Sequence, residues 1–540
     1  MRITTVAVPL LAAITVAYAG GDEYHRHGHQ HHHHHDNDQH TKFPDFKECE
    51  AVDDRAKQIK DAFLHAYNGY REYAWGADEL LPLTNKPSNS RNGWGATIID
   101  GLDTMIIMGL EDEYKQALDF IKNDLNFNTS IGDAKGFETG IRYLGGLISA
   151  YDLAGDSILL EKAKEVMDDV LLPLFSSPPG APYTYMNVNS KKPVKTNTIN
   201  LAEFGTYTLE FTRLSQITKD NSYAKLANKL VEDAISHDSV MPGLYPTHWD
   251  ISGETMKPIK SSIVTVGAGG DSFYEYLPKT FLLTGNSRYM DAWAKAVESI
   301  QKFLLSPTAQ DPNIQFVASI TNGTVSYASD ELICFWPGNV LLGITQLNEG
   351  DQTDSFRSFA DTFMKSCIQT WSDTATGIAP EVWSWTPNKG ATEGALGQQY
   401  DAIGEILKDI NLGEKHHGDH NGGPVFKIEG SAYNLRPETI ESLFYYYRAT
   451  GDEYYKETAW EWFESIKKYT MTDSGFTMIN NVDSTADTRG NFQESFFFAE
   501  TLKYLYLLFV DDKCISLNNY VFSTEAHPFK LERSIKYQEV

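Results

Sequence analysis

Carboxylates at the mouths of apolar helices are the residues of this sequence best placed to do chemistry. The clearest stretch runs Leu435-Arg436-Pro437-Glu438 and on through Glu441, Leu443, Phe444 and Tyr447 to Gly451 and Asp452. Pro437 lacks an amide proton and has its φ preset, so it suits a first helical position beside the free amides of the first turn. Glu438 then sits in that turn, where the helix dipole favours the ionised carboxylate, and Glu441 follows on roughly the same face. A glutamate so placed is a poor acid and a serviceable base. One acidic first turn would do no more than complement the dipole, but the chain repeats the arrangement. Phe137-Glu138-Thr139-Gly140-Ile141-Arg142 precedes the Leu144-Gly145-Gly146-Leu147 helix, and Gly267-Ala268-Gly269-Gly270-Asp271-Ser272 precedes Phe273-Tyr274-Glu275-Tyr276-Leu277. Glu494 and Glu500 flank the aromatic run Phe496-Phe497-Phe498, and Thr524-Glu525-Ala526-His527 follows near the carboxy terminus. Buried carboxylates are rarely tolerated unless paired or bound to a metal, so acids set into apolar helices imply a polar centre. Two carboxylates, one donating a proton and one activating water, are the minimum for hydrolysing a glycosidic bond, and Glu138, Asp271 and Glu438 are the candidates. HExxH, GxSxG and P-loop patterns are absent, and His416, His417 and His420 read as part of an exposed Gly-rich insertion.

The elements that must position these acids are helices. After Cys49, Ile59, Phe63, Ala66, Tyr67 and Tyr70 fall at helical spacing. A pattern then recurs in which an apolar helix ends at Gly or Lys and a second, amphipathic helix starts: Gly109 to Tyr114, Gly155-Asp156, Lys219 to Tyr223, Gly285 to Tyr289 and Gly451 to Tyr455. These are helix hairpins with glycine C-caps. Their spacing is irregular and alternating strand patterns are scarce, which predicts a closed ring of helix pairs, an α/α toroid with few short strands. Although 540 residues would allow several domains, 41% hydrophobic content and the lack of a long linker after residue 42 predict one catalytic unit over residues 43–540.

A net charge of −27 leaves no basic stripe for nucleic acid or an anionic bilayer. Residues 1–19 read as a secretory signal peptide: Arg2, an apolar run, and the small-x-small pattern Ala17-Tyr18-Ala19. No later segment is apolar enough to span a membrane, so a soluble, monomeric protein of the secretory lumen or the extracellular space is expected. Residues 20–42 form a His-rich extension read as a solvated spacer. Asn128-Thr129-Ser130 and Asn322-Gly323-Thr324 are glycan acceptor sequons. Four cysteines, Cys49, Cys334, Cys367 and Cys514, suit an oxidising compartment, and their spacing alone leaves the connectivity open.

Taken together, several motifs resemble, in order, those of the class I α-1,2-mannosidases, glycoside hydrolase family 47, over about residues 45–530. They are Trp94-Gly95-Ala96-Thr97 through Asp100 to Leu102-Asp103-Thr104, Phe137-Glu138-Thr139, Asp271-Ser272 with Tyr274-Glu275-Tyr276-Leu277, and Arg436-Pro437-Glu438. Glu494-Ser495-Phe496-Phe497, Glu500-Thr501-Leu502-Lys503-Tyr504 and Thr524-Glu525-Ala526-His527-Pro528 complete the set. The resemblance implies an (α/α)7 barrel plugged by a carboxy-terminal β-hairpin, and inverting, calcium-dependent removal of terminal α-1,2-linked mannose from high-mannose N-glycans. By position it makes Glu138 the general acid, Asp271 and Glu438 the two carboxylates considered for the base, and Thr524 the calcium ligand. Glu494 and Glu525 fall in the shell around the calcium, Arg142 and Arg436 are substrate-contacting, and Glu275 and Glu441 join Glu494, Glu525 and Gly269 among the substrate-binding positions. It pairs Cys334 with Cys367, and the meeting of the terminal segments would pair Cys49 with Cys514.

Two positions bear on specificity. Where the family reads His-Leu-x-Cys-Phe, this chain has Glu331-Leu332-Ile333-Cys334-Phe335, so an acid replaces a cavity-lining histidine and either alters the hydrogen bonding around the base or turns away. Gly269 stands where single-cut members carry an arginine, which implies broad trimming from nine mannoses toward five, as in Golgi-type and secreted fungal enzymes. A reading of another class is a glycan-binding lectin of the degradation-enhancing branch; the complete set Glu138, Asp271 and Glu438 favours the enzyme.

Overall fold

Left-handed residues at helix ends fold this chain into hairpins. The computed structural model describes residues 42–239, 241–388, 424–535 and 537. The signal-peptide and His-rich readings, and His416, His417 and His420, lie outside them. Gly155, Gly285 and Gly451 end their helices at φ 78°, 71° and 66°, and Lys219 does so at φ 60° without glycine's freedom.

Among the described residues the helices form seven pairs. α1 spans Asp54–Tyr73, α2 Leu102–Ile107, α3 Glu111–Asn123, α4 Gly145–Ala154, α5 Ser157–Val166, α6 Thr208–Thr218 and α7 Ser222–Ile235. α8 spans Asp271–Thr284, α9 Ser287–Ser299, α10 Trp336–Ile344, α11 Asp351–Ser372, α12 Glu438–Thr450, α13 Glu453–Thr470 and α14 Leu502–Leu508. The even-numbered helices from α2 to α14 follow one another round an inner ring, and the π-turn Phe497–Thr501 that leads into α14 packs on α2 and closes it. Each inner helix is backed by its outer partner, α14 by α1.

Position in the ring explains the composition. Every residue of α10 and α14 is buried, because an inner helix meets neighbours on all sides, whereas α3 buries only Tyr114, Ala117, Phe120 and Ile121. The expected face of α1, Ile59, Phe63, Ala66, Tyr67 and Tyr70, is fully buried. Where the sequence predicts Pro437 as the first helical residue of α12, the structure starts the helix at Glu438. Pro437 is its N-cap, and its carbonyl accepts the Glu441 amide at 2.7 Å.

Inner helices run into outer ones through short links, and outer helices return to inner ones through long links carrying two- and three-stranded antiparallel sheets. The amino-terminal ends of the inner helices therefore gather at the long-link end of the ring. From the other end comes a hairpin, Tyr520–Phe522 paired with Pro528–Lys530. Its depth reads off α4 and the turn before it: Lys530 N donates to Asp152 at 3.0 Å, Ser149 donates to the Pro528 carbonyl at 3.1 Å, and Glu525 reaches Arg142. The hairpin tip thus floors the cavity. Disulfides join Cys49 to Cys514 and Cys334 to Cys367. Asn128 and Asn322 are exposed, Asn322 in a hairpin turn at φ 49°. No described helix is long and apolar enough to cross a membrane.

Candidate active site

Glu138 ends the short helical turn Gly136–Glu138, and a π-turn, Thr139–Leu144, carries Arg142 directly beneath it. Arg142 Nε donates to Glu138 Oε2 at 2.8 Å, while its Nη1 meets Asp100, Ser495 and Glu525. A second guanidinium, Arg91, stands 3.7 Å from Glu138 and 3.6 Å from Glu494. The Arg91 loop is clamped by Asp78, whose carboxylate accepts the amides of Arg91, Gly93, Trp94 and Ala96 at 2.7 to 3.2 Å. Burial raises the cost of a charge on Glu138, but Arg142 and Arg91 outweigh it and hold the carboxyl at about 2. Ligand-free, this side chain is a carboxylate.

Asp271 opens α8 and Glu438 opens α12, beside Asp330 and Glu331 from the segment before α10. Here acids outnumber cations. Burial, with the charges of Asp330, Glu275 and Glu438, pushes Asp271 up to about 7 against a bond from the Ser272 amide. Burial, with Glu438, takes Asp330 to about 6. Arg436 lies nearby, with its Nε committed to Glu381 at 2.8 Å. Glu331 does not turn away: its Oε1 accepts the Thr439 amide at 3.2 Å and the Thr439 hydroxyl at 2.7 Å.

Deeper in, Lys279 bonds Glu275 at 2.5 Å and lies 3.8 Å from Glu441, which also accepts from Tyr504 at 3.2 Å. Burial and neighbouring acids raise Glu441, Glu500 and Glu525 above the usual carboxylate range. Tyr276 donates to Glu210 at 2.6 Å, and its oxygen accepts the Thr524 amide at 3.1 Å. Below the tip, His527 Nδ1 is 2.7 Å from Asp103 and its Nε2 3.5 Å from Asp100, and Lys503 bonds Asp103 at 2.8 Å and the Ala526 carbonyl at 2.6 Å. Burial opposes the charge on His527, but Asp103 and Asp100 push it up to about 9.

The sequence-predicted residues Glu138, Arg142, Asp271, Glu275, Arg436, Glu438, Glu441, Glu494, Thr524 and Glu525 therefore meet around one cavity. Arg91, Asp330 and Glu381 were missed because nothing local marks them; each acts through a partner distant in sequence. Phe496, a residue of the Glu494-Ser495-Phe496-Phe497 motif, sets its ring within 6 Å of both guanidinium carbons, at 5.7 Å from Arg142 and 5.9 Å from Arg436. Gly269 gains a second meaning. It holds φ 90°, its carbonyl accepts the Ala202 amide at 3.1 Å, and a Cβ there would come 3.0 Å from Asn200 Nδ2, so the backbone itself calls for glycine.

Among the described residues no group of three or more His, Cys, Asp or Glu is arranged to hold a metal directly. A hard cation that keeps water ligands nonetheless fits. Neither the hydroxyl nor the carbonyl of Thr524 takes part in a hydrogen bond, and the buried acids Glu441, Glu500 and Glu525 around it repel one another.

Comparison with known proteins agrees with this geometry. The family model described as Glycosyl hydrolase family 47 matches residues 62–531. A mannosyl-oligosaccharide alpha-1,2-mannosidase 1B of Aspergillus oryzae is 38% identical over 520 residues, covering 91% of this chain and 96% of the relative. A mannosyl-oligosaccharide 1,2-alpha-mannosidase of Arabidopsis thaliana is 36% identical over 88% of this chain and 79% of its own length. Among solved structures, an alpha-1,2-mannosidase from Trichoderma reesei superposes with a TM-score of 0.79 at 32% identity, over 89% of this chain and 99% of that one.

Proposed function

The chain belongs to glycosyl hydrolase family 47 and is a mannosyl-oligosaccharide 1,2-α-mannosidase of N-glycan processing, and from that premise we propose an inverting, calcium-dependent hydrolysis of terminal α-1,2-linked mannose on high-mannose glycans. The observation that carries the reading is the convergence of Glu138, Asp271 and Glu438, each from a different helix entrance, above a floor made by Thr524 and Glu525. Glu438 is the preferred base of the two considered. Asp271 at about 7 holds its proton through the mildly acidic range, whereas Glu438 sits in a helix first turn that favours the carboxylate. Water activated there attacks the anomeric carbon from the face opposite the leaving oxygen, and Glu138 supplies the proton to that oxygen.

Glu138 at about 2 sets a requirement, since it must gain a proton as the sugar displaces water and the balance of charges around Arg142 and Arg91 changes. That observation favours one second reading, in which Asp271, already protonated, is the donor. A mannosyl fluoride separates the two, because its leaving group needs no proton. Whichever of Glu138→Gln and Asp271→Asn regains turnover on the fluoride lacks the donor, and proton NMR of the first product should show β-mannose; α-mannose would sink inversion.

Calcium would be held by the Thr524 hydroxyl and carbonyl with water, and would supply a fixed positive charge that orders sugar hydroxyls over the floor. The protein's own residues orient the sugar: Phe496 offers an apolar face, and Glu275, Glu441, Glu494 and Glu525 accept hydroxyls. The roles of Arg142 and Arg436 are to hold Glu138 and Glu381 while facing the substrate. Broad trimming toward five mannoses is proposed from the lack of an arginine side chain at Gly269, and mass spectrometry of a long digest tests it. Accumulation of one eight-mannose isomer alone would overturn it. The two disulfides and the exposed Asn128 and Asn322 sequons support secretory residence for a catalytic unit over residues 43–540, after cleavage of a signal at 1–19.

A further inference from the structure

We propose that Glu331 is a positioning residue that shares one proton with Glu438 and so fixes the base at the mouth of α12; the inference rests on the assignment of Glu438 to the hydrolytic site. Glu331 is buried, and its backbone amide is held by the Glu381 carbonyl at 3.0 Å. Its Oε1 accepts the Thr439 amide, an otherwise free donor in the first turn of α12, together with the Thr439 hydroxyl. That grip ties Glu331 to the residue that follows Glu438.

The remaining oxygens of both side chains, Glu331 Oε2 and Glu438 Oε2, are buried without a hydrogen-bond partner, and Glu438 immediately precedes the Thr439 that Glu331 grips. Two ionised carboxylates have no donor between them and repel in a water-poor site. One proton on the pair satisfies both oxygens at once. Arg436 faces the pair and balances the single charge that remains. Asp271, Asp330, Glu441 and Glu500 face Glu438 as further acids, and the Tyr433 phenol adds no charge. Burial, then the Glu438 charge, raise Glu331 well above the usual carboxylate range. Losing the shared proton would set two negative charges side by side in a buried site, so the two carboxyls act as a unit.

Two substitutions test this in the full chain on a high-mannose glycan. E331Q keeps an acceptor for Thr439 and offers Glu438 a permanent N–H, whereas E331L offers neither. In E331Q the alkaline limb of kcat/KM should move up by about one pH unit or more, because the proton it depended on can no longer leave. In E331L kcat should fall by roughly 10- to 100-fold, the worth of a hydrogen bond to a charged group, with KM little changed. An alkaline limb in E331Q that matches the native one overturns the proposal, whatever the folding of E331L. So does a folded E331L with native kcat. Failure of the hydrolytic assignment shows separately, as native turnover that survives Glu438→Gln.

Discussion

Two walls of the cavity carry the same kind of side chain in opposite electrical company. At the mouth of α4, Glu138 sits against Arg142 and Arg91 and is held at about 2. By ring order α10 and α12 stand opposite, and there Glu331, Asp330 and Glu438 are crowded with acids, while Asp271 beside them is pushed up to about 7. Residue type alone would have treated these glutamates and aspartates as interchangeable. Their neighbours divide them into groups that hold a charge and groups that hold a proton, and the proposed donor, Glu138, rests on the charged side until substrate changes its surroundings.

The comparison breaks most sharply at Glu138. Glu138→Gln keeps shape and hydrogen-bonding atoms but no titratable proton, and turnover should fall by roughly 10²- to 10⁴-fold with glycan binding retained. Near-native turnover in single-turnover assays would remove Glu138 from the chemistry. Asp271→Asn on the other wall should cost less, on the order of 10²-fold, if its part is secondary to that of Glu138. A larger loss than in Glu138→Gln would reverse the two roles.

Arg91→Met sharpens the contrast by a smaller step. It removes one of the two cations that lower Glu138, so the Glu138 pKa should rise, which NMR titration of its carboxyl carbon reads, and the donor should keep its proton to higher pH. Because Arg91 is partly exposed and Arg142 remains, the expected change in turnover is only several-fold; an unmoved Glu138 titration would show that Arg91 does not reach Glu138.

The smallest effect is on stability. Glu210 at about 8, the raised Glu441, Glu500 and Glu525, and His527 at about 9 all have folded-state pKa values above their unfolded ones. Their contribution is therefore greatest at low pH. It declines as pH rises from about 4.5 through 8 for the acids and from about 6.5 through 9 for the histidine. Chelated protein should lose melting temperature over that range, and calcium should offset the loss by binding the folded form alone. Equal melting curves with and without chelator would argue against a cation at Thr524.

The helix hairpins were legible because their signals are local: Gly155, Gly285 and Gly451 punctuate apolar runs, and even Lys219 was marked by the residues after it. The acids at helix entrances were legible for the same reason. What the chain does not display locally is which acid a given cation serves. Arg91 meets Glu494, Lys503 meets Ala526 and Asp103, and His527 meets Asp103, 424 positions away. Those pairings exist only once the ring has closed. Gly269 shows the converse limit: its lack of a side chain looked like a statement about substrate, and its φ of 90° shows that the loop has its own need for it.

The hairpin that floors the cavity also sets an order of events during synthesis. Residues 520–530 leave the ribosome after every helix of the ring, so Asp103, Lys503 and Arg142 wait for partners that do not yet exist. A nascent chain therefore has its acids before it has the hairpin tip that packs beneath them. The same delay falls on the cysteines. Cys49 emerges first and must stay reduced, or be reopened by exchange, while Cys334 and Cys367 pass it and pair with each other, until Cys514 arrives to fasten the ends.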